Sequence, residues 1–108
     1  MVTQEQVKDI TDRAEALYTY LDIERKKIEF EEEDLRTQAP DFWDDPERAR
    51  AQMKVVGELR KWIEGYNEVR SSADELQLSM EFYRDEMVTE EEVDAAYDRV
   101  CMLLRLSN

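Results

Sequence analysis

The sequence predicts an all-α fold, an antiparallel bundle of about four helices built on a long, coiled-coil-like helical hairpin. Apolar residues recur at alternating steps of three and four along most of the chain, which is the period of a helix face. Only two Gly and two Pro occur in 108 residues, too few for a turn-rich β fold. The length allows one domain, residues 1–108.

The first apolar series predicts one long helix that ends before Pro40. Its members are Val7, Ile10, Ala14, Leu17, Leu21, Ile28 and Leu35. Glu24 and Glu31 take two positions of the series, whereas Ile23 and Phe30 lie on a different face. This interruption indicates that the apolar seam changes its packing partner along the helix.

Further helix starts are predicted by residues that can cap a helix. Three pairs have the spacing of a capping box: Thr3 with Gln6, Ser72 with Glu75, and Thr89 with Glu92. Asp45 followed by Pro46 predicts another start after a connector at residues 37–45. Whether the pair at Ser72 breaks the helix or only kinks it stays open.

Three later apolar stripes are expected to face the core. They are Ala49, Met53, Val56, Leu59, Ile63 and Tyr66; then Ala73, Leu76, Met80, Tyr83 and Met87; and finally Val93, Ala96, Tyr97, Val100, Leu103 and Leu104. The first of these stripes can pack against the initial helix as an antiparallel hairpin. No segment requires a β-strand.

The net charge of −13 opposes nonspecific binding to nucleic acid or to an anionic membrane, because such binding depends on Lys and Arg. A partner recognised through charge is therefore expected to be basic. No apolar run approaches the roughly 20 residues of a membrane span. Cys101 is the lone cysteine and forms no internal disulfide, which fits a cytoplasmic protein.

The composition predicts neither an enzyme nor a cofactor or metal site. Without His, the common nucleophilic triads and the Glu-x-x-His metal pairs cannot form. The acids at 41–45 lack the Gly and the closing Glu of an EF-hand loop. Gly57 and Gly65 are isolated, so each either permits close approach of a neighbour or costs about 1 kcal/mol relative to Ala. Cys101 is expected to be a buried packing residue.

One candidate partner surface is the strongest charge run of the sequence. It consists of Glu29, Glu31, Glu32, Glu33 and Asp34. Its default interpretation is a solvated helix face, partly balanced by Arg25, Lys27 and Arg36 at four-residue spacings. The alternative is a docking surface for a basic protein.

The second candidate surface is the aromatic pair Phe42 and Trp43 in the connector. Two large aromatics at this place are expected to plug the end of the helical hairpin, because exposed apolar area is costly. The alternative is a hot spot for a partner protein.

The segment 36–49, which reads RTQAPDFWDDPERA, resembles the connector between helices near the N-terminus of the bacterial release factor 2 family. Further similarity runs from about residues 3–5 through 61–66 to 86–97, so it covers most of the chain. Phe42-Trp43-Asp44 resembles this family more than its sister release factor. The similarity weakens after Asp98, across residues 99–108.

The resemblance implies an all-helical first domain with an accessory role in translation termination. In that family, a Ser-Pro-Phe tripeptide reads the stop codon and a Gly-Gly-Gln tripeptide serves ester hydrolysis, and neither tripeptide occurs here. The implied partners are proteins of the ribosomal GTPase-associated centre and the GTP-hydrolysing release factor, without direct nucleic-acid binding by this domain. The rival interpretation is a free-standing acidic interaction protein or coiled-coil adaptor.

Overall fold

The structure of the protein is a computed structural model, and residues 1–107 are described. Its elements are α1 (Gln4–Tyr20), α2 (Ile23–Arg36), a 3₁₀ turn (Phe42–Asp44), α3 (Pro46–Arg84) and α4 (Glu90–Leu106). Residues 1–107 contain no strand. The all-α class and the bundle of four helices are therefore confirmed. Asn108, the last residue of the segment where the resemblance weakens, lies outside the described residues.

Helix α3 is the axis of the molecule and contacts every other helix. At 1.5 Å per residue its 39 residues span about 58 Å, which matches the longest dimension of 59 Å. The first half of α3 pairs antiparallel with α2, and the second half carries α1 and α4. We call residues 24–65 the arm and the remaining described residues the body.

The main hydrophobic core lies in the body, where α1 and α4 pack on the second half of α3. Its fully buried members include Ile10, Ile23, Leu76, Val93 and Val100. No residue of the arm contributes to this core. The molecule is therefore three helices thick in the body and two helices thick in the arm.

The prediction of a single helix from Thr3 to Pro40 is wrong, because the chain breaks at Leu21 and Asp22. Asp22 adopts the left-handed conformation, with φ 52° and ψ 48°. In a continuous helix Leu21 and Ile23 would point in nearly opposite directions. The left-handed residue turns the next helix so that Ile23 is completely buried while Leu21 still packs against the core. The apolar seam thus changes its packing partner as predicted, but it does so through a break between α1 and α2.

The open question at Ser72 is answered by a continuous α3, which neither starts nor ends there. Ser72 is buried in the helix interior and does not cap a helix. The helix ends at Arg84 in a Schellman motif, with Glu86 at φ 58° and the Met87 N–H bonded to the Phe82 carbonyl at 2.9 Å. Met87 is consequently 67% exposed and does not extend the predicted stripe.

The other predicted helix starts are confirmed in detail. Thr3 and Gln6 form a complete capping box, as do Thr89 and Glu92. The Asp45 carboxylate accepts the backbone N–H of Arg48, with Pro46 in the first turn. These caps depend on residues three positions apart, which explains why a local pattern is sufficient to predict them.

Two details of the predicted packing differ from the structure. Met53 belongs to the predicted inner stripe of α3 but is 44% exposed. A Cβ atom added at Gly57 or Gly65 would meet nothing within 4 Å, so neither glycine is there for a close approach. The other interpretation from the sequence remains, namely that each glycine lowers the stability of the helix by about 1 kcal/mol relative to Ala.

None of the helices within residues 1–107 combines the length and the apolar character that a membrane crossing requires.

Candidate partner-binding surfaces on the arm

The arm is a helical hairpin with a small core of its own. Ala49, Val56 and Leu59 are buried between α2 and α3. Polar and aromatic contacts close the two sides of the hairpin: Gln52 donates a hydrogen bond to Glu33, the Arg60 guanidinium lies 5.3 Å from the Phe30 ring centroid, and Lys26 Nζ lies 5.6 Å from the Trp62 ring centroid. These contacts set the direction in which every other residue of α2 faces.

Packing divides the predicted acidic run into two groups. Glu29, Glu33 and Asp34 are half-buried. Glu29 pairs with Arg25 at 3.0 Å and Glu33 pairs with Arg36 at 2.8 Å. The first group is thus largely occupied in holding α2 and the hairpin together.

The second group, Glu31 and Glu32, faces solvent. Within residues 1–107 neither side chain has a cationic partner, because Arg36 pairs with Glu33 and Lys27 lies over the Tyr18 ring at 5.3 Å. Of the three basic residues expected to neutralise this run at four-residue spacings, only Arg25 does so, through its pair with Glu29. These two carboxylates are the part of the run that is available to another molecule.

Ile28 and Leu35, which the sequence places in the core seam, lie on the outside of α2. They are 52% and 68% exposed. Ile28 and Leu35 follow the buried Ile23 by five and twelve residues. In a helix of 3.6 residues per turn, these spacings rotate both side chains by about 120 to 140° from the direction of Ile23. Sequence reasoning missed this surface because it extended the α1 seam through the break.

The aromatic pair lies at the tip of the arm, and the predicted plug is wrong for one of its two members. Phe42 is half-buried, whereas Trp43 is 61% exposed. Trp43 meets the Phe42 ring edge to face, with centroids 5.1 Å apart. Phe42 also lines a shallow cavity of about 360 Å³ between Arg36 and Arg48. Phe42 closes the hairpin, and Trp43 extends the apolar surface outward.

The junction between the body and the arm is held by Tyr18. Its hydroxyl donates a hydrogen bond to the Glu24 carboxylate across the break. This bond, with burial and the negative charge of Glu24, raises the pKa of Tyr18 above 10.0, because each favours the neutral phenol. Arg25 stabilises the same junction through a 2.7 Å contact from Nε to the Asp22 carboxylate.

Cys101 lies in the body and packs against the main core as predicted, but it is half-buried and not fully buried. Its thiol lies beside Tyr97, and hydrogen bonding with Cys101 raises the pKa of Tyr97. No group of three or more Cys, Asp or Glu side chains within residues 1–107 is arranged to hold a metal ion. The exposed members of the partner surfaces predicted from the sequence, Glu31, Glu32 and Trp43, all lie on the arm.

A comparison of the chain with models of known protein families finds no match.

Proposed function

We propose that the chain is the N-terminal helical domain of a peptide chain release factor 2, acting in the cytoplasm in translation termination. Its role is accessory: it docks the factor on proteins of the ribosomal GTPase-associated centre or on the GTP-hydrolysing release factor. It performs no hydrolysis itself and contacts no nucleic acid directly.

The observation that supports this proposal most is the position of residues 36–49. This segment carries the most specific resemblance to the family, and it lies at the tip of the arm, where Trp43 is exposed. Exposed tryptophans are enriched among residues that dominate protein interfaces. The charge of −13 favours protein contacts over RNA contacts.

The proposal is tested by competition in a reconstituted termination reaction with an intact release factor 2. An excess of this chain should slow peptide release, and the chain alone should release no peptide. Trp43→Ala should lose this inhibition, whereas Tyr20→Ala removes an 81% exposed aromatic side chain of the body and should retain it. Absence of inhibition by the unaltered, folded chain contradicts the proposal, as does peptide release by the chain alone.

The second candidate is a free-standing acidic interaction protein or coiled-coil adaptor. The observation that favours it is the outward pair Ile28 and Leu35, spaced seven residues apart as in a coiled coil. Sedimentation equilibrium tests the coiled-coil form of this candidate. A tight dimer that dissociates in the Ile28→Ser variant supports the adaptor, and a monomer contradicts a self-associating coiled coil.

A further inference from the structure

We propose that the outer face of α2 binds a basic amphipathic helix of another protein. The outer face is defined by exposed residues that point away from α3, namely Ile28, Glu31, Glu32 and Leu35. This inference rests on the docking role proposed above, but it does not depend on the assignment to release factor 2.

The apolar part of the outer face has the geometry of a helix-binding stripe. Ile28 and Leu35 lie on the same side of α2, two turns or about 10.5 Å apart along its axis. Two apolar positions seven residues apart match the repeat with which one helix packs along another. Both side chains keep more than half of their surface in water, so a docked helix would remove substantial apolar area.

The outer face is free within the fold. The main contacts of α2 with other helices are those with α3 and α1. The contacts with α3 use the opposite side of α2, where Phe30 and Glu33 meet Arg60 and Gln52. A ligand helix can therefore lie along the outer face without displacing any contact of the arm.

The charge of the outer face decides which kind of helix fits. Glu31 and Glu32 have no cationic partner within residues 1–107, and both flank the apolar pair. A second copy of the chain would set carboxylates against carboxylates, which is destabilising. An RNA or an anionic membrane would be repelled for the same reason. A helix with Lys or Arg beside its apolar stripe can pair its cations with the two carboxylates and pack its stripe on the apolar pair.

The probe for this proposal is a synthetic helix of about three heptads, with Leu at a and d and Lys at e and g. Its fluorescence anisotropy is measured on titration with the full 108-residue chain. A scrambled peptide of the same composition serves as the control for simple charge attraction. The amphipathic peptide should bind at least tenfold more tightly than the scrambled peptide, because only the former presents a continuous apolar stripe.

Matched variants locate the binding surface. Ile28→Ser and Leu35→Ser should each weaken binding about tenfold, since each removes one buried apolar contact. Leu78→Ser removes a 47% exposed leucine of the body and should leave binding unchanged. Circular dichroism confirms that each variant remains helical.

A second pair of variants tests the contribution of the acidic side chains to binding. Glu31→Lys should weaken binding in a salt-dependent manner, whereas Glu75→Lys makes the same charge change on the exposed surface of the body and should have less than half that effect on the binding free energy.

Several outcomes overturn the proposal. Equal binding of the scrambled peptide would show attraction without a specific face, and equal effects of Leu78→Ser and Ile28→Ser would place the site elsewhere. A dimer that is lost in Leu35→Ser would make a second copy the occupant. Failure here leaves the Trp43-dependent competition in termination unaffected, so the two proposals fail separately.

Discussion

The rings of Tyr18 and Tyr66 meet edge to face, with their centroids 5.1 Å apart and their planes inclined at 62°. Tyr18 lies near the C-terminal end of α1, and Tyr66 lies where α3 passes from the arm into the body. Because Tyr18 also bonds Glu24 beyond the break, this pair connects α1, α2 and α3 at one point. These contacts stabilise the orientation of α2 relative to α1 and α3.

Above pH 10, the stability of the protein should depend on Tyr18. Its pKa is raised in the folded state, so the folded protein binds its proton more tightly than the unfolded chain. The resulting stabilisation is complete below pH 10 and is lost as the pH rises through the raised pKa. Tyr66 acts in the same direction, because burial raises its pKa.

Urea unfolding at a series of alkaline pH values measures this effect. Tyr18→Phe should make the decline of the unfolding free energy with pH shallower, and Tyr20→Phe removes an 81% exposed tyrosine as a control. Identical slopes for wild type and Tyr18→Phe would contradict the assignment.

Asp22 offers a test of the break between α1 and α2. In the left-handed conformation Gly is favoured over Ala by about 1 kcal/mol or more, because Ala has a Cβ that meets the carbonyl oxygen. Asp22→Gly should therefore be more stable than Asp22→Ala in urea unfolding. A continuous helix would reverse the order, with Ala better by about 1 kcal/mol. The sign of the difference decides between the two structures.

Ser72 is expected to reduce the stability of the fold. It is 3% exposed, and its hydroxyl has no hydrogen-bond partner within residues 1–107. Ser72→Ala should raise the free energy of unfolding by about 1 to 2 kcal/mol, since it removes an unsatisfied polar group and improves helix propensity. Ser71→Ala changes propensity alone at an exposed position and should gain about 0.5 kcal/mol. Equal gains would mean that the Ser72 hydroxyl is satisfied.

Gly57 and Gly65 are exposed positions within α3, and space is available for a methyl group at both. Gly57→Ala and Gly65→Ala should each raise the free energy of unfolding by about 1 kcal/mol, and the two gains should add because the sites share no contact. Thermal unfolding of the single and double variants measures this. A loss of stability in either single variant would reveal a close neighbour that the structure does not contain.

The helix starts could be predicted from the sequence because each depends on a few consecutive residues. Thr3, Asp45 and Thr89 cap their helices through bonds to backbone groups three residues away, and no distant contact is needed. The all-α class followed for a similar reason, since apolar residues at helical spacing and few glycines leave little alternative. The acidic run and the aromatic pair were also identifiable as candidates from the order of residues in the sequence.

The tertiary structure decided where the long first segment breaks and which residues it exposes. A seven-residue apolar series looks the same whether its seam continues or rotates, so Ile28 and Leu35 appeared to belong to the core. The burial of Ile23 in the body, together with the contacts of Tyr18 and Arg25 across the junction, favours the left-handed turn at Asp22. Residues within one helix keep fixed directions relative to one another. The turn that buries Ile23 therefore directs Ile28 and Leu35 outward. The sequence by itself determined the all-α class and the caps at Thr3, Asp45 and Thr89, and the packing of the body determined where the first segment breaks and which faces are left for a partner.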